Sequence, residues 1–284
     1  LFSMPQFLRI PNEEYHAGKE QSSTKVKAAV LGSGKHYYEA QYGPKKEPTQ
    51  ALIEGSAFHA MMEDQAIFDA EFIVKPEGLS LSTKEGKKWK AENVLHRQIL
   101  LPTFGEKLKR MSEAVWNFSP ACEFMDIEGE SETSHYWTDE MTGLRCKCRP
   151  DYITDNLEYV IDYKTTTDAS KKGFQRAIVQ YGYDIQAGFY MEGIEKSMGH
   201  RPKNFIFIVV EKQPPFSVAV YVADDEMVTL GYEKARRGLS KIKYWEDAKE
   251  FPNYSETVEI IGLPDWAKGK KNSTNLSPMD IELY

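Results

Sequence analysis

The stretch "RPDYITDNLEYVIDYKTTTDAS", residues 149–170, decides the fold because it is typical of two strands joined by a turn. Side chains of a strand alternate between two faces, and this period of two places Asp162 and Lys164 side by side on one face of the second strand. The dipeptide "DN" between the two apolar runs is a turn signal. If the strands form a hairpin, Asp151 and Asp162 converge near the edge of a sheet.

The pair Asp162 and Lys164 has two interpretations. An isolated Asp-x-Lys is most often an ordinary salt bridge between exposed strand residues. If Asp151 lies beside it, two ionised carboxylates repel each other, and a hard divalent cation such as Mg²⁺ relieves that repulsion. Lys164 would then orient or help deprotonate an attacking water and offset charge on a pentavalent phosphorus. The second interpretation predicts hydrolysis of a phosphodiester.

The composition limits the classes of protein to which the chain can belong. Its 284 residues are 41% hydrophobic and 12% aromatic, which is enough to bury a full core. Because we find neither the roughly 18 consecutive apolar residues of a membrane span nor a secretory signal, we expect no membrane partner and a cytoplasmic location. The net charge of −7 argues against nucleic-acid binding over the whole surface, but it allows a basic groove inside an acidic shell.

Periodicity on both sides of the opening stretch alternates between strand and helix. Strands bracketed by helices in both directions predict an α/β fold with a mixed central β-sheet flanked by helices. We expect a single domain over 1–284, with an N-terminal segment over 1–48, a core over 49–250 and a surface tail over 251–284. The predicted helices cover 50–68, 84–100, 102–118, 171–198 and 225–249, and the predicted strands cover 71–75, 128–139, 143–154, 158–166, 204–212 and 216–224.

Basic residues precede Asp151 at every second position. In the predicted strand 143–154, the period of two puts Arg145, Lys147 and Arg149 on the face that carries Asp151, while the intervening cysteines take the other face. Three cations therefore lead along one strand face up to an aspartate.

A polar stripe follows the helix predicted over 50–68, which has Thr49 as its candidate N-cap. Gly55, His59 and Glu63 lie at successive four-residue steps, and Gly55 would permit close approach of another backbone. A lone helical histidine is more often a structural residue. A polar stripe in an otherwise apolar helix nonetheless favours a His59 that faces a site. The apolar character comes largely from Leu52, Phe58, Met62 and Phe68.

The helix after the strands carries Gln186 and Tyr190, which are four residues apart and so lie on one face. An amide and a phenol placed together can contact a backbone phosphate or a base. The simpler interpretation is a helix face that packs its aromatic residue on the sheet. The cations before this helix would extend a phosphate track, although such a run is usually only a solvated face: Lys171, Lys172 and Arg176.

Taken in order, these motifs resemble the PD-(D/E)xK nuclease superfamily, and more narrowly its RecB-like exonuclease branch. That branch has Gly-x-x-x-His on a helix, then Pro-Asp, then Asp-x-Lys on the next strand and Gln-x-x-x-Tyr on the following helix. This chain has all four in that order. Longer stretches, among them "EEYHAG", "TQALIEGSAFHAMMED" and "GLRCKCRPDYI", look like the C-terminal nuclease domain of RecE-type exonucleases. The resemblance covers most of residues 13–200.

The resemblance implies a Mg²⁺-dependent 5′-to-3′ exonuclease, in which Mn²⁺ substitutes for Mg²⁺. Such an enzyme degrades one strand of linear duplex DNA and leaves a 3′ overhang for a RecT-like single-strand annealing protein. It serves DNA recombination and repair, commonly of a phage or prophage. Two alternatives stay open: a structure-specific endonuclease on the same core, and a non-catalytic DNA-end-binding scaffold.

The resemblance also implies a role for each motif residue. His59, Asp151 and Asp162 would hold the metal, with the backbone carbonyl of Tyr163 as a fourth contact. Lys164 would serve the attacking water. The residues that would contact DNA are Gln186, Tyr190, Arg145, Lys147 and Arg149.

A ring-shaped homo-oligomer is implied as well, with a tetramer favoured over a trimer and residues 1–48 at the entry for double-stranded DNA ends. A ring would reconcile an acidic outside with a basic inner track. Some nucleases of this branch hold an iron–sulfur cluster on four cysteines. This chain has three, so we expect reduced thiols and no iron–sulfur cluster. Whether Glu63 and Glu132 touch the metal is left open.

Overall fold

The computed structural model describes residues 7–44 and 47–264, and its strands build sheets of five, three and two strands. The strands are β1 (Phe7–Leu8), β2 (Phe72–Val74), β3 (Gln98–Leu100), β4 (Gly129–Ser131), β5 (Ser134–Thr138), β6 (Arg145–Cys148), β7 (Tyr152–Thr154), β8 (Tyr159–Thr166), β9 (Asn204–Glu211) and β10 (Val218–Val222). The helices are α1 (Asn12–Ala17), α2 (Ser23–Leu31), α3 (Gly34–Tyr42), α4 (Gln50–Glu63), α5 (Gln65–Glu71), α6 (Lys84–Asn93), α7 (Pro102–Trp116), α8 (Ser119–Met125), α9 (Lys171–Tyr181), α10 (Tyr183–Met198) and α11 (Asp225–Ala248).

The five-stranded sheet has the order β10-β9-β8-β7-β4. It is mixed, because β8 and β9 run parallel while the other neighbours pair antiparallel. The inner strand β9 carries apolar side chains on both of its faces, as expected for a strand that is covered on both sides. One face contributes Phe205, Phe207 and Val209 to one apolar cluster, and the other face contributes Ile206, Ile208 and Val210 to a second cluster.

Helices cover both faces of this sheet. Val26 of α2, Phe189 of α10 and Leu239 of α11 belong to the first cluster, and Phe58 of α4 and Leu108 of α7 belong to the second. All five side chains are fully buried. The predicted α/β fold with a mixed central sheet flanked by helices is confirmed.

Two predicted strands each break into two, and the breaks position the site. The predicted strand 143–154 ends as β6 and resumes as β7 in another sheet. Pro150 lies between them and has no N–H to donate to a ladder. The predicted strand 128–139 breaks at Glu132, whose φ of 51° lies outside the β region. The expectation that one strand carries the basic residues to Asp151 is therefore wrong.

Capping residues explain where the helices depart from prediction. Thr49 caps α4 by accepting from the N–H of Leu52, as predicted. The helix expected over 50–68 splits at Asp64, because its side chain accepts from the N–H of Ala66 and so begins α5. Gly182, with a φ of 63°, separates α9 from α10.

Two further predictions fail. The helix expected over 84–100 ends at Asn93, and β3 follows it and pairs in parallel with β2. Leu52 was expected to contribute to the apolar side of α4, but its side chain is 62% exposed, whereas Phe58, Met62 and Phe68 are buried.

The tail predicted over 251–284 is described only up to residue 264, and the remainder lies outside the described residues. Phe251 stacks on Tyr37 with ring centroids 6.1 Å apart, which fixes the start of the tail. Val258 and Ile260 are fully exposed, so this part of the tail does not pack against the rest of the protein. Within 7–44 and 47–264, no helix has the length and apolar character needed to cross a membrane. The cytoplasmic location stays a prediction.

Candidate active site

The hairpin of β7 and β8 brings the two predicted aspartates together. Tyr152 pairs with Ile161 across the antiparallel strands, so the next position outward places Asp151 opposite Asp162. The Oδ2 atom of Asp151 accepts a hydrogen bond of 2.7 Å from the backbone N–H of Tyr163. The structure therefore has the convergence that strand alternation predicted.

Helix α4 supplies an imidazole to the same point. The Nδ1 atom of His59 lies 3.1 Å from Oδ1 of Asp151. One turn earlier, Gly55 has no heavy atom within 4 Å of the position a Cβ would take, leaving aside its own helix and considering only the described residues. The expected close approach of another backbone to Gly55 is therefore not found among the described residues. Gly55 instead lines the open cleft beside His59.

Glu132 completes a group of three possible metal ligands. One ligand atom each from His59, Glu132 and Asp151 lies within 4.8 Å of the other two. Glu132 sits at the break between β4 and β5, where its backbone N–H donates to the carbonyl oxygen of Asp151 at 3.2 Å. Its left-handed backbone, with φ 51°, costs a non-glycine residue about 1 kcal/mol or more. That turn is what brings Glu132 beside Asp151.

Asp162 lies deeper than predicted. Its side chain is 1% exposed and forms an ion pair with the ammonium of Lys164, while its Oδ1 accepts a hydrogen bond from the amide of Gln186. The group of three possible ligands does not include Asp162. The sequence grouped Asp162 with His59 and Asp151 as equal ligands, whereas the structure pairs it with Lys164 beside them. Its role as a ligand stays a prediction.

The pKa values of the carboxyl groups of Glu132 and Asp151 are shifted in opposite directions. Burial and, after it, the charge of Asp151 raise the pKa of Glu132 to about 8, although His59 acts in the opposite direction. Burial alone would also raise the pKa of Asp151. The neighbouring His59, together with Lys164 and the N–H of Tyr163, outweighs burial and lowers that pKa. One carboxyl group is thus held ionised and the other is pushed towards its neutral form.

The surroundings of the two basic groups of the site favour their protonated forms. Burial would lower the pKa of His59, but the charge of Asp151 and its hydrogen bond outweigh burial and raise it. Burial opposes the charge of Lys164 too, yet Asp162 and Asp151 raise its pKa. The ammonium of Lys164 also lies 4.8 Å from the ring centroid of Tyr183, a cation–π contact that favours the charged form.

These residues fit a divalent cation. Carboxylate oxygens suit Mg²⁺ and Mn²⁺, and an imidazole nitrogen is a common ligand of transition metals. The pKa of Glu132 is raised because its carboxyl group is buried next to the charge of Asp151. A cation held by His59, Glu132 and Asp151 would relieve this repulsion between carboxylates. Tyr163 contributes its backbone N–H to Asp151. The role predicted for its carbonyl stays a prediction.

Gln186 and Tyr190 lie behind the site. Both side chains are buried, and Gln186 donates to Asp162. Tyr190 packs edge-on against Phe205, with ring centroids 6.3 Å apart, and lines a cavity together with Asp151. In this structure Gln186 orients a carboxylate of the site, and its predicted contact with DNA stays a prediction.

The predicted basic track is not open. Lys147 is 3% exposed: it donates to the carbonyl oxygens of Tyr15 and Gly18, and it pairs with Glu20 at 3.4 Å. Of the three cations of the track, only Arg145 is exposed. The track is closed because the segment preceding α2 covers this face.

Arg149 is buried under the same segment. Its guanidinium donates to Oγ of Ser134 and to the carbonyl oxygen of Ile10, and it stacks 4.0 Å from the ring centroid of Tyr15. Its distance to Glu132 is 3.9 Å, so it also faces the site. The prediction that Arg145, Lys147 and Arg149 form an exposed basic track is therefore wrong, because Lys147 and Arg149 are buried.

Comparison with known proteins gives one family. The model of a PDDEXK-like domain of unknown function (DUF3799) matches residues 22–264, which include every residue of the site described above. A search of curated proteins found no match.

Solved structures share the fold at low sequence identity. A protein from Eubacterium rectale, assigned as an exonuclease, is 15% identical with a TM-score of 0.64 over 93% of this chain and 99% of that chain. A phage related exonuclease from Haemophilus somnus 129PT is 14% identical with a TM-score of 0.33 over 69% of this chain and 95% of that chain. An alkaline exonuclease from Laribacter hongkongensis is 10% identical with a TM-score of 0.32, over 84% and 97% of the respective chains. The first of these similarities shows a shared fold.

Proposed function

The chain belongs to the family of PDDEXK-like domains, and from that premise we propose that it is a metal-dependent deoxyribonuclease that degrades one strand of linear duplex DNA from its 5′ end. The observation that carries the proposal is the convergence of His59, Glu132 and Asp151 next to the ion pair of Asp162 and Lys164. Pro150-Asp151 and Asp162-x-Lys164 are the residues that give the superfamily its name.

Hydrolysis of a phosphodiester consumes one water, forms a P–O bond to that water and breaks the P–O bond to the leaving oxygen, which takes up a proton. A divalent cation held by His59, Glu132 and Asp151 supplies positive charge at the phosphate and acidity towards a water. Lys164, which its carboxylate neighbours keep protonated, donates to the attacking water or to a phosphoryl oxygen and offsets the developing negative charge.

The remaining groups hold this apparatus in position. Gln186 fixes one oxygen of Asp162, and Asp162 in turn fixes the ammonium of Lys164. The N–H of Tyr163 fixes one oxygen of Asp151 and leaves the other beside His59. Such a chain of hydrogen bonds preorganises the charges, so that little reorganisation is needed when the reaction occurs.

The finer points of the proposal rest on the resemblance to RecE-type enzymes. They are the 5′-to-3′ direction, the 3′ overhang, Mg²⁺ with Mn²⁺ as a substitute, a RecT-like annealing partner, and a ring that is a tetramer rather than a trimer. The fold shared with a protein assigned as an exonuclease is compatible with this choice.

Digestion of linear duplex DNA labelled at either the 5′ or the 3′ end tests the proposal. We expect Mg²⁺-dependent release of the 5′ label, and we expect Lys164→Met and Asp162→Asn each to reduce the rate by at least about 100-fold. Circular dichroism shows whether each variant is folded. Lys196→Met, which removes an exposed cation paired with Glu140, is the matched control and should digest like the wild type. Full activity of folded Lys164→Met would overturn the assignment.

Covalently closed circular duplex separates the proposal from a structure-specific endonuclease. An exonuclease needs an end and leaves the circle intact, whereas an endonuclease opens it. A non-catalytic scaffold is distinguished by the same linear substrate, because it would bind DNA ends without releasing label in Mg²⁺ or Mn²⁺.

A further inference from the structure

Two clefts meet at His59, which lines both of them. The first has a volume of about 650 Å³, and we name it the threonine groove after the residues that line it: Thr165, Thr166, Thr167, Arg176 and Lys212. The second has a volume of about 480 Å³, and we name it the acidic groove after Glu63, Glu71 and Glu132. Helix α4 lies between them, so a polymer that reaches His59 has two routes of approach.

The threonine groove is suited to a polyanion. Lys164, Arg176 and Lys212 line it, and among the described residues Asp168 is its one lining carboxylate. The Oδ1 atom of Asp168 already accepts a 2.9 Å hydrogen bond from the backbone N–H of Ser170. Hydroxyl groups along the end of β8 add neutral donors of the kind that contact phosphate oxygens.

The groove also continues along an exposed basic edge. Arg176 is exposed on α9, and the first turn of the same helix carries the exposed residues Lys171 and Lys172. Because Lys147 and Arg149 are covered, this edge replaces the track expected on β6 as positive surface near the site.

The acidic groove has the opposite character. Three glutamates line it, and within 7–44 and 47–264 its one lining Lys or Arg is Arg149, which is buried against Ser134 and Ile10. Backbone phosphates in this cleft would face these carboxyl groups, and His59 at its edge is already paired with Asp151.

We propose that the sugar–phosphate backbone of the substrate reaches the metal centre through the threonine groove, with Arg176 and Lys212 contacting phosphates, and that no backbone phosphate lies beside Glu63 and Glu71 in the acidic groove. This inference rests on the proposed function. It assigns a direction of approach that the family match and the motifs leave open.

Salt-dependent binding of a labelled duplex in EDTA, followed by fluorescence anisotropy, tests the inference without requiring catalysis. The double variant Arg176→Gln with Lys212→Gln loses two phosphate contacts. Each phosphate contact contributes about 0.9 to the steepness with which log K decreases with log salt concentration. The double variant should therefore show a slope that is less steep by about 1.8, and its affinity should be roughly 30-fold weaker near 0.15 M salt. The matched control is Arg237→Gln with Lys241→Gln, which removes equal charge from exposed positions of α11 that line neither groove.

The acidic groove provides the reverse test. Glu71→Gln should change the dissociation constant less than about two-fold, since no phosphate lies near it. If Glu71→Gln tightens binding and the Arg176 and Lys212 double variant keeps the slope of the wild type, the inference is wrong while the nuclease proposal survives. If the wild-type protein neither binds duplex DNA at low salt nor releases label from linear duplex in Mg²⁺, the nuclease proposal itself fails.

Discussion

Two groups of buried charges lie within the same part of the fold, and they differ in how their charge is balanced. Around the β7–β8 hairpin, Glu132 lines the acidic groove with Asp151 beside it, and their charge is balanced in part by His59, Lys164 and Arg149. Around β6, Lys147 and Arg149 are surrounded by partners from residues 10–20. Buried charges need compensation. Among the described residues the first group is compensated only in part, whereas the second is compensated by residues 10–20.

This difference separates function from stability. Changes at the hairpin should remove activity and leave the fold, because a cleft can admit water or a cation. Changes around β6 should weaken the fold and leave DNA binding, since the cations there are covered by protein.

The largest effect is expected at Asp151, which touches His59 and the N–H of Tyr163. Loss of a partner one step removed from a metal costs roughly 10–100-fold in affinity or activity. Loss of Asp151 itself should cost more, so Asp151→Asn should reduce Mg²⁺-dependent digestion by more than about 100-fold while the melting temperature changes little. Asp155→Asn makes the same chemical change in the turn of the hairpin and should keep the rate. A slow Asp155→Asn would point to the hairpin as a whole.

Gln186 tests whether the outer part of the site acts on the reaction or on DNA binding. Its amide donates to Asp162, so Gln186→Met should slow digestion by roughly 10–100-fold. Affinity for duplex DNA in EDTA should stay within about two-fold of the wild type. Gln175→Met, on the exposed side of α9, is the control. A variant that digests normally at saturating DNA but binds it weakly would favour the DNA contact predicted from the sequence.

Lys147 tests the second group of charges. Lys147→Met leaves the carbonyl oxygens of Tyr15 and Gly18 and the carboxylate of Glu20 without their partner, which should lower the free energy of unfolding by about 2 kcal/mol in urea titrations. The exposed Arg145→Met should change it by no more than about 0.5 kcal/mol. An Arg145→Met effect as large as that of Lys147→Met would remove the distinction between covered and exposed cations on β6.

A smaller, pH-dependent effect is expected at His135 of β5, which pairs with Cys148 of β6. Burial lowers the pKa of His135 to about 4, below its ordinary value of about 6.5. Below about pH 6.5 His135 is therefore protonated in the unfolded chain but neutral in the folded protein. The free energy of unfolding consequently decreases as the pH falls towards 4. Between pH 7 and pH 5.5 the loss should be about 1 kcal/mol.

His135→Asn should abolish this part of the pH dependence, measured as the difference between urea titrations at the two pH values. His200→Asn, at an exposed position, should leave it in place. An unchanged slope in His135→Asn would assign the pH dependence to other groups.

The sequence predicts best where the physics is local. Strand alternation and one turn were enough to pair Asp151 with Asp162, and a four-residue step on a helix was enough to select His59. Thr49 was recognisable as an N-cap because the capping residue and the N–H groups it accepts from are neighbours in the chain.

It predicts least where a distant segment or a backbone deviation decides. Alternation told which face Lys147 is on, but not that residues 10–20 cover that face. The position of Glu132 depends on a left-handed residue inside what looks like a continuous strand, and no alternation pattern reports this. The split between β6 and β7 has a signal, Pro150, but that proline does not say that the two strands join different sheets.

The central claim is that His59, Glu132 and Asp151 form a site for a divalent cation. Titration of Mn²⁺ into the protein, followed by calorimetry, tests it most directly, with Glu132→Gln as the variant and the exposed Glu128→Gln as the control. We expect binding to the wild type and to Glu128→Gln, and at least about ten-fold weaker binding to Glu132→Gln. A wild-type protein that binds no Mn²⁺, or a Glu132→Gln variant that binds it as tightly as the wild type, would contradict the account.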